Sequence, residues 1–455
     1  MSTIEQFGYR QELQRSLSFA DLMIYGLIFM VPIAPFGIFG EVFSISHGMV
    51  ALAYIIGVVA MAFTALSYAQ MAKAFPMAGS VYTYAGRGIA APVGFFAGWA
   101  ILLDYVLVPS LLYLVAGTAM NSFVPAVPVW VWIVAFVAFN TVVNYLGIQM
   151  TARITRIMLI GELAVLAIFL VVGGIALAQG KGQAGALTPL FDPSSFTWSV
   201  VFAAASVAVL SFLGFDAIST LAEENREDAR RLGRSMVAAL AVAAVLFVVQ
   251  TWVAALLTPN RAQLIEEGDL TGNAFYDTAT FAGGPWLGVL TAVATAIAWG
   301  FADSLVAQTA TSRLLFAMAR DRQLPSFLAK VHPTHKVPVN ATFAVAAVSI
   351  TLGVFMSTRD NGIGELASLV NFGALSAFLL LHIAVVVHYM IRKRSRNIWA
   401  HLIAPAIGFA VLVAVVINQN VAAQWVGGVW LAIGLLVIGV SYALGRRPEL
   451  PTEVK

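Results

Sequence analysis

The sequence predicts an all-α membrane protein of about twelve spanning helices, on three observations. Hydrophobic residues make up 60% of the 455 residues and charged residues only 10%, against about 25% charged in an ordinary soluble domain. The apolar residues fall in long blocks separated by short polar segments. Lysine and arginine concentrate in every second polar segment, the asymmetry that orients membrane helices. So little polar surface excludes a soluble enzyme, a nucleic-acid binder and a disordered scaffold. The absence of cysteine excludes disulfide frameworks, thiolate metal sites and cysteine nucleophiles.

A spanning helix needs about 20 mostly apolar residues. Such stretches occupy 18–42, 49–71, 88–118, 128–146, 155–179, 199–222, 234–258, 284–317, 339–357, 365–389, 401–418 and 424–445. The third and eighth are long enough to tilt or to run past the bilayer. Residues 1–17 read as a polar N-terminal tail, unlike a cleavable signal peptide, so the first span is expected to remain in the mature protein. Residues 18–445 read as a single transmembrane domain and 446–455 as a C-terminal tail. The polar stretches 259–283 and 318–338 are expected to be loops. With a cytoplasmic N-terminus, alternation places 22 of the 25 basic residues inside and only Lys181, Arg261 and Arg359 outside. One span more or fewer would scramble that split. It predicts a multi-pass protein of the cell inner membrane with both termini cytoplasmic. It also explains the net charge of +3 without nucleic acid.

Two spans are interrupted. The first contains YGLIFMVPIAPFGIFG, with Pro32 and Pro35 inside the apolar run. Proline removes a backbone donor and clashes with the preceding turn. In lipid such a break survives only where protein or a cavity surrounds it. The sixth contains SFLGFDAISTLAEE, with Gly214 just before Asp216. A simple kink accounts for either one alone. Breaks in spans one and six together match inverted repeats of spans 1–5 and 6–10, whose interrupted helices meet near the midplane.

The segments ALSYAQMAKAFPMAGSVYTYAGRGI, GFFAGWAILLDYVLVP, SFLGFDAISTLAEE, SRLLFAMARDRQLP and LVNFGALSAFLLLH resemble the amino acid–polyamine–organocation (APC) transporter superfamily over about residues 15–445. LLDY, SFLGFDAISTLAEE and NFGAL are most similar to bacterial putrescine importers. The resemblance implies a LeuT-like fold of twelve spans in a 5+5 inverted repeat plus two. It also implies a site between spans 1, 3, 6, 8 and 10, and often proton coupling.

Amino-acid carriers of that superfamily usually hold the substrate carboxylate on the backbone N–H groups of a small, glycine-rich break in span one. Here the stretch reads Met30-Val31-Pro32. Proline has no N–H, and Met30 and Val31 are bulky, so the anion nest is degraded. An amine without an essential carboxylate fits this better, although neighbouring amides such as that of Ile33 stand as a second reading. Buried acids supply the complement. Asp104, Glu162, Asp216 and Asp303 lie within spans three, five, six and eight, with no lysine or arginine at comparable depth in the same span. Each costs about 2.5–3.5 kcal/mol at a helix centre. Some must be protonated, paired with a cation or near water.

Asp303 and Asp216 are candidate ammonium ligands. The alternatives are a hydrogen-bonded acid between helices for Asp303 and a structural or gating role for Asp216. Glu162 stands where some proton-coupled relatives carry a lysine, which makes it the candidate coupling residue; packing as a neutral acid is the alternative. Asp104 and Tyr105 are adjacent on one helix and point in different directions, so Tyr105 is assigned to the site and Asp104 to a supporting position. Phe29, Phe212, Phe215 and Tyr113 are candidate cation–π walls. Met30, Val31, Pro32, Ser211 and Gly214 complete the expected site around the two breaks. His382 reads as a hydrogen-bonded core histidine or a proton relay. Glu223 and Glu224, beside Arg226, Arg230 and Arg231, read as an ion network at the cytoplasmic end of span six. The putrescine importers carry an acid at the place of Gly37, a departure that counts against putrescine itself.

The expected function is secondary active import of a small organic amine, putrescine-like, by alternating access and coupled to protons. The alternative is an amino-acid permease. The expected partners are the substrate, the coupling proton and membrane lipid. No cofactor or metal is expected, and no enzymatic or ATP-binding motif is present.

Overall fold

The structure is a computed structural model describing residues 5–8, 10–269, 272–359, 362–419 and 421–443. The expected C-terminal tail 446–455 and residues 1–4 lie outside the described residues. Among the described residues the chain is helical, apart from an isolated bridge between Leu17 and Asn225.

Ten helices are long and apolar enough to cross a membrane, and a bent pair makes eleven. That pair is span one, Phe19–Met30 and Pro35–Ile45, bent by 50°. The position of the expected fourth span holds a shorter apolar helix, Val129–Tyr145. Span two is Val50–Ala74, span three Ala91–Phe123 and span five Ile148–Ala178. Span six begins as an α-helix, Trp198–Ala208, and continues as two 3-10 turns, Val209–Phe212 and Phe215–Leu221, separated at Leu213 and Gly214. Span seven is Ala229–Leu257. Span eight runs from Pro285 to Arg320 through a π-helical segment, Ala298–Asp303. Spans nine, ten and twelve are Val339–Met356, Gly362–Val385 and Val421–Ala443; span eleven is Trp399–Ile403 with Ala404–Ile417.

One expected loop is corrected. The stretch 259–283 folds into two short helices, Arg261–Glu267 and Ala274–Gly283. A further helix, Ser80–Gly88, forms between spans two and three, where no element was expected. It follows Gly79 at φ 119, a conformation open to glycine but not to most residues.

Burial separates a central group of spans from a peripheral one. Span three is 83% buried over its most apolar stretch, and span twelve only 17%. Peripheral helices present large apolar side chains outward, such as Ile157, Ile160, Leu435 and Leu436. That pattern suits a lipid surround, where outward apolar groups cost nothing. Among the described residues, three of the buried carboxylates of the central group, Asp104, Asp216 and Asp303, lie on spans three, six and eight.

Candidate functional site

The two breaks pack directly on one another. Val31 takes φ 49, a left-handed conformation unusual for a β-branched residue. Its amide donates to the Ile28 carbonyl at 3.1 Å, and the Ala34 amide donates to the Val31 carbonyl at 2.7 Å. The Pro32 carbonyl, released by the break, accepts from Gln250 Nε2 of span seven at 2.9 Å. In span six, Gly214 takes φ 120 and its amide donates to Asp216 Oδ1 at 3.3 Å. The amides of Val31, Ala34 and Gly214 are thus engaged inside the protein, and Pro32 has none. Ile33, the alternative anion donor, is buried and does not border the cavity. The breaks offer a poor grip for a carboxylate.

Gly214 is required by space as well as by dihedral. A Cβ built there would stand 2.8 Å from Phe29 Cγ and 3.0 Å from the Phe29 backbone carbon. Gly214→Ala combines a disfavoured φ with an overpacked contact, each costing about 1–3 kcal/mol. The expected result is a clear fall in the thermal unfolding temperature of purified protein; an unchanged melt would mean that the two breaks separate freely.

Beside the breaks lies a cavity of about 60 Å³, a few times the roughly 10–15 Å³ one water needs. Span one contributes Phe29, Met30 and Val31 to its wall, and span six contributes Ser211, Gly214 and Asp216. Span three contributes Asp104 and Tyr105, and span eight contributes Trp299 and Asp303. No residue of span ten borders it, although Ile363 and Ala367 of that span reach the space above.

Five expected site residues stand elsewhere. Pro32 turns its carbonyl to Gln250. Tyr113 donates to Gln308 Oε1 at 3.1 Å and accepts from Asn140 Nδ2 at 3.1 Å. Phe212 packs against Tyr54 and Phe247. Glu162 is buried behind span eight rather than on the cavity wall. Phe215 packs against Tyr68 and Phe378. Asp104 corrects the opposite way, because it borders the cavity together with Tyr105. Neighbouring residues diverge around a helix, but this cavity wraps far enough around span three to meet both.

The acids differ in their surroundings. Asp216 is held by three donors: Tyr105 Oη at 2.7 Å, the Gly214 amide at 3.3 Å and Tyr68 Oη at 3.5 Å. It braces the span-six break against spans two and three. Asp303 keeps its Oδ1 buried without a partner among the described residues. The π segment that carries it is braced by Asn140 of span four, which donates to the Gly300 carbonyl at 3.2 Å and to Ser304 Oγ at 2.9 Å. His382 sits between Ser67 Oγ, 2.9 Å from Nδ1, and Thr64 Oγ1, 3.3 Å from Nε2. That is a hydrogen-bonded core histidine, away from the cavity.

The cavity is closed unequally. On the side of the acidic segment 266–277, a space of about 630 Å³ approaches it. Ile38, Leu111, Leu210 and Trp299 border both spaces and form the partition. Trp299 was not singled out from sequence, although it lies four residues before Asp303 and so on one helix face with it. A Cβ on Gly37 would stand 2.9 Å from the Trp299 ring. The indole therefore takes the room beside Gly37.

The arginine-rich side is sealed more heavily. Glu224 meets Arg313 through two bonds, 2.8 Å and 3.2 Å, with both side chains buried. Glu223 meets Arg320 through two bonds of 2.9 Å. The N-terminal segment is laced over them, with the Ser16 and Leu17 amides both 3.0 Å from the Glu224 carbonyl. The expected partners of these acids were the adjacent arginines. Instead, Arg231 pairs with Glu227, and span eight supplies the partners of Glu223 and Glu224.

A sequence model of the amino acid permease family matches residues 18–441. The low-affinity putrescine importer PlaP of Escherichia coli K12 is 29% identical, over 96% of both chains. The branched-chain amino acid permease BcaP of Bacillus subtilis is 28% identical, over 94% of this chain and 93% of its own. A methylthioribose transporter of the same bacterium is 27% identical, over 96% of this chain and 95% of its own.

Proposed function

We propose that this chain, which belongs to the amino acid permease family, imports a small organic amine of the putrescine class by alternating access, coupled to protons. It is a multi-pass membrane transporter and not an enzyme. The observation that carries the amine reading is the cavity wall itself. Asp104, Asp216 and Asp303 border it, no lysine or arginine among the described residues does, and the amides of Val31, Ala34 and Gly214 are engaged.

In this reading the acids group into two poles: Asp104 and Asp216 on spans three and six, and Asp303 on span eight with Glu162 on span five, which packs against the π segment. A dication with ammonium groups at its two ends matches two anionic poles joined by an apolar wall. Trp299 and Phe29 suit the methylene chain and the ammonium faces. Since Asp216 is already held by three donors, Asp104 and Asp303 are the proposed ammonium ligands and Asp216 the brace. Glu162 is the proposed coupling residue.

The unequal closure supports a carrier resting with its acidic side nearly open and its arginine-rich side locked. The basic-residue count assigns the locked side to the cytoplasm. Closing the thin partition over a loaded site and then parting the ion pairs would complete the transport step.

An amino-acid permease is the second reading. Gly37 favours it, because its neighbour Trp299 occupies the place beside a position where the resembling putrescine importers carry an acid. Uptake of radiolabelled putrescine and alanine into proteoliposomes with an inward proton gradient separates the two. Putrescine accumulation above the rate of protein-free vesicles is expected; uptake of alanine alone would replace the amine reading by the permease one.

A further inference from the structure

A buried carboxyl without a hydrogen-bond partner is costly, and two side by side are more so. Glu162 of span five is 5% exposed, and neither carboxyl oxygen has a partner among the described residues. Asp303 is also 5% exposed, with Oδ1 unpartnered, yet its side chain borders the central cavity. Span five packs against both the first half of span one and the π segment that carries Asp303. The orphaned oxygens therefore lie at one junction, half of it open to the cavity and half shut away.

Other ionisable groups around this junction are already engaged or distant. On span five, Arg156 lies six residues before Glu162, about 9 Å along the helix, and is bonded to Asp21 of span one at 2.5 Å. Arg153 lies further toward the same end. On span one, Tyr25 donates to the Val306 carbonyl. On span three, Tyr113 interacts with Asp303 but is bonded to Gln308 and Asn140, and Asp104 stands at the other pole with Tyr105 bonded to Asp216. Further along span eight, Arg313 is held by Glu224. Tyr145 of span four is bonded to His332, and Tyr276 and Asp277 line the outer space. Arg230, Arg231 and Arg234 stand at the arginine-rich end of span seven. Among the described residues, none of these cations pairs with Glu162 or Asp303.

We propose that Glu162 and Asp303 form one composite site that takes a proton and a substrate ammonium together, Glu162 donating its proton to the unpartnered Oδ1 of Asp303 while Asp303 turns its other oxygen to the amine. The proton arrives from water on the open side and no bond other than its own is made or broken. Stripped of both ions the pair would carry two negative charges; the retained proton leaves one, and the substrate ammonium then brings it to none. Neither load alone achieves that, so closure over the buried pair favours the doubly loaded form. This links the two ions without an anion nest or a lysine. The ammonium half rests on the amine reading above; the shared proton does not.

Glu162→Gln keeps a hydrogen-bond donor but fixes its proton. In proteoliposomes, the ratio of putrescine uptake with and without an inward proton gradient is expected to fall to unity, and Glu162→Asp to recover part of it. Asp303→Asn is expected to weaken putrescine binding by roughly 30-fold or more, as loss of one member of a buried charge pair does. A Glu162→Gln carrier that keeps the wild-type gradient ratio would overturn the proposal. Infrared difference spectra of the purified protein test the pair without substrate. The carbonyl stretch of a buried protonated carboxyl should persist at mildly alkaline pH, vanish in Glu162→Gln and shift in Asp303→Asn. A band untouched by both substitutions refutes the shared proton. Absence of putrescine uptake by the wild type, with both infrared changes present, refutes the amine reading and leaves the proton pair standing.

Discussion

Arg313→Met is expected to destabilise the protein by about 3–5 kcal/mol, the cost of leaving one member of a buried ion pair alone. Arg313 is 1% exposed and Glu224 fully buried, and their two bonds join span eight to span six. Methionine retains most of the volume of the stem but leaves the Glu224 carboxylate without its cation. Thermal unfolding in detergent measures the loss. The double variant Arg313→Met with Glu224→Leu should be more stable than Arg313→Met alone, because an apolar pair removes the stranded charge. It should also lose the lock on the arginine-rich side, seen as accelerated labelling of a cysteine introduced near Ser312. A single variant that unfolds within about 1 kcal/mol of the wild type would mean that water reaches Glu224 and that the lock is weaker than its burial implies.

Asp104→Asn is expected to weaken putrescine binding by roughly 30-fold or more, since truncating a buried charge pair costs about 2–5 kcal/mol. Asp104 is 4% exposed and borders the cavity, as Asp303 does; the proposed function gives the two acids one ammonium each. The two-pole arrangement predicts more than a general loss. A monoamine with the same number of carbons can satisfy only one pole, so it should bind the wild type less tightly and lose less on substitution. Thermal-shift titration with putrescine and butylamine reads both quantities. Equal losses for the two ligands would show that Asp104 shapes the cavity without holding a second ammonium.

These expectations rest on features of unequal legibility. The breaks were visible, because proline and glycine interrupt an apolar run at Pro32 and Gly214 whatever surrounds them. The depth of the acids was visible for the same reason: a charge inside twenty apolar residues has nowhere else to be. Their neighbours were not. Glu223 and Glu224 precede several arginines in sequence, yet Arg313 and Arg320 reach them from span eight. Asp104 seemed turned from the site until the cavity proved to curve around span three. Trp299, the partition between cavity and outer space, carried only the weak signal of its spacing from Asp303.

By itself the sequence determined the membrane class, the places where helices break and the depth of each carboxylate, since hydropathy and proline act locally. Only the tertiary structure decided which acids border the cavity and which lie behind it. Helices that are apolar on every side give no outward sign of the face they bury. Glu162 and Asp303, 141 positions apart, become neighbours only when spans five and eight pack.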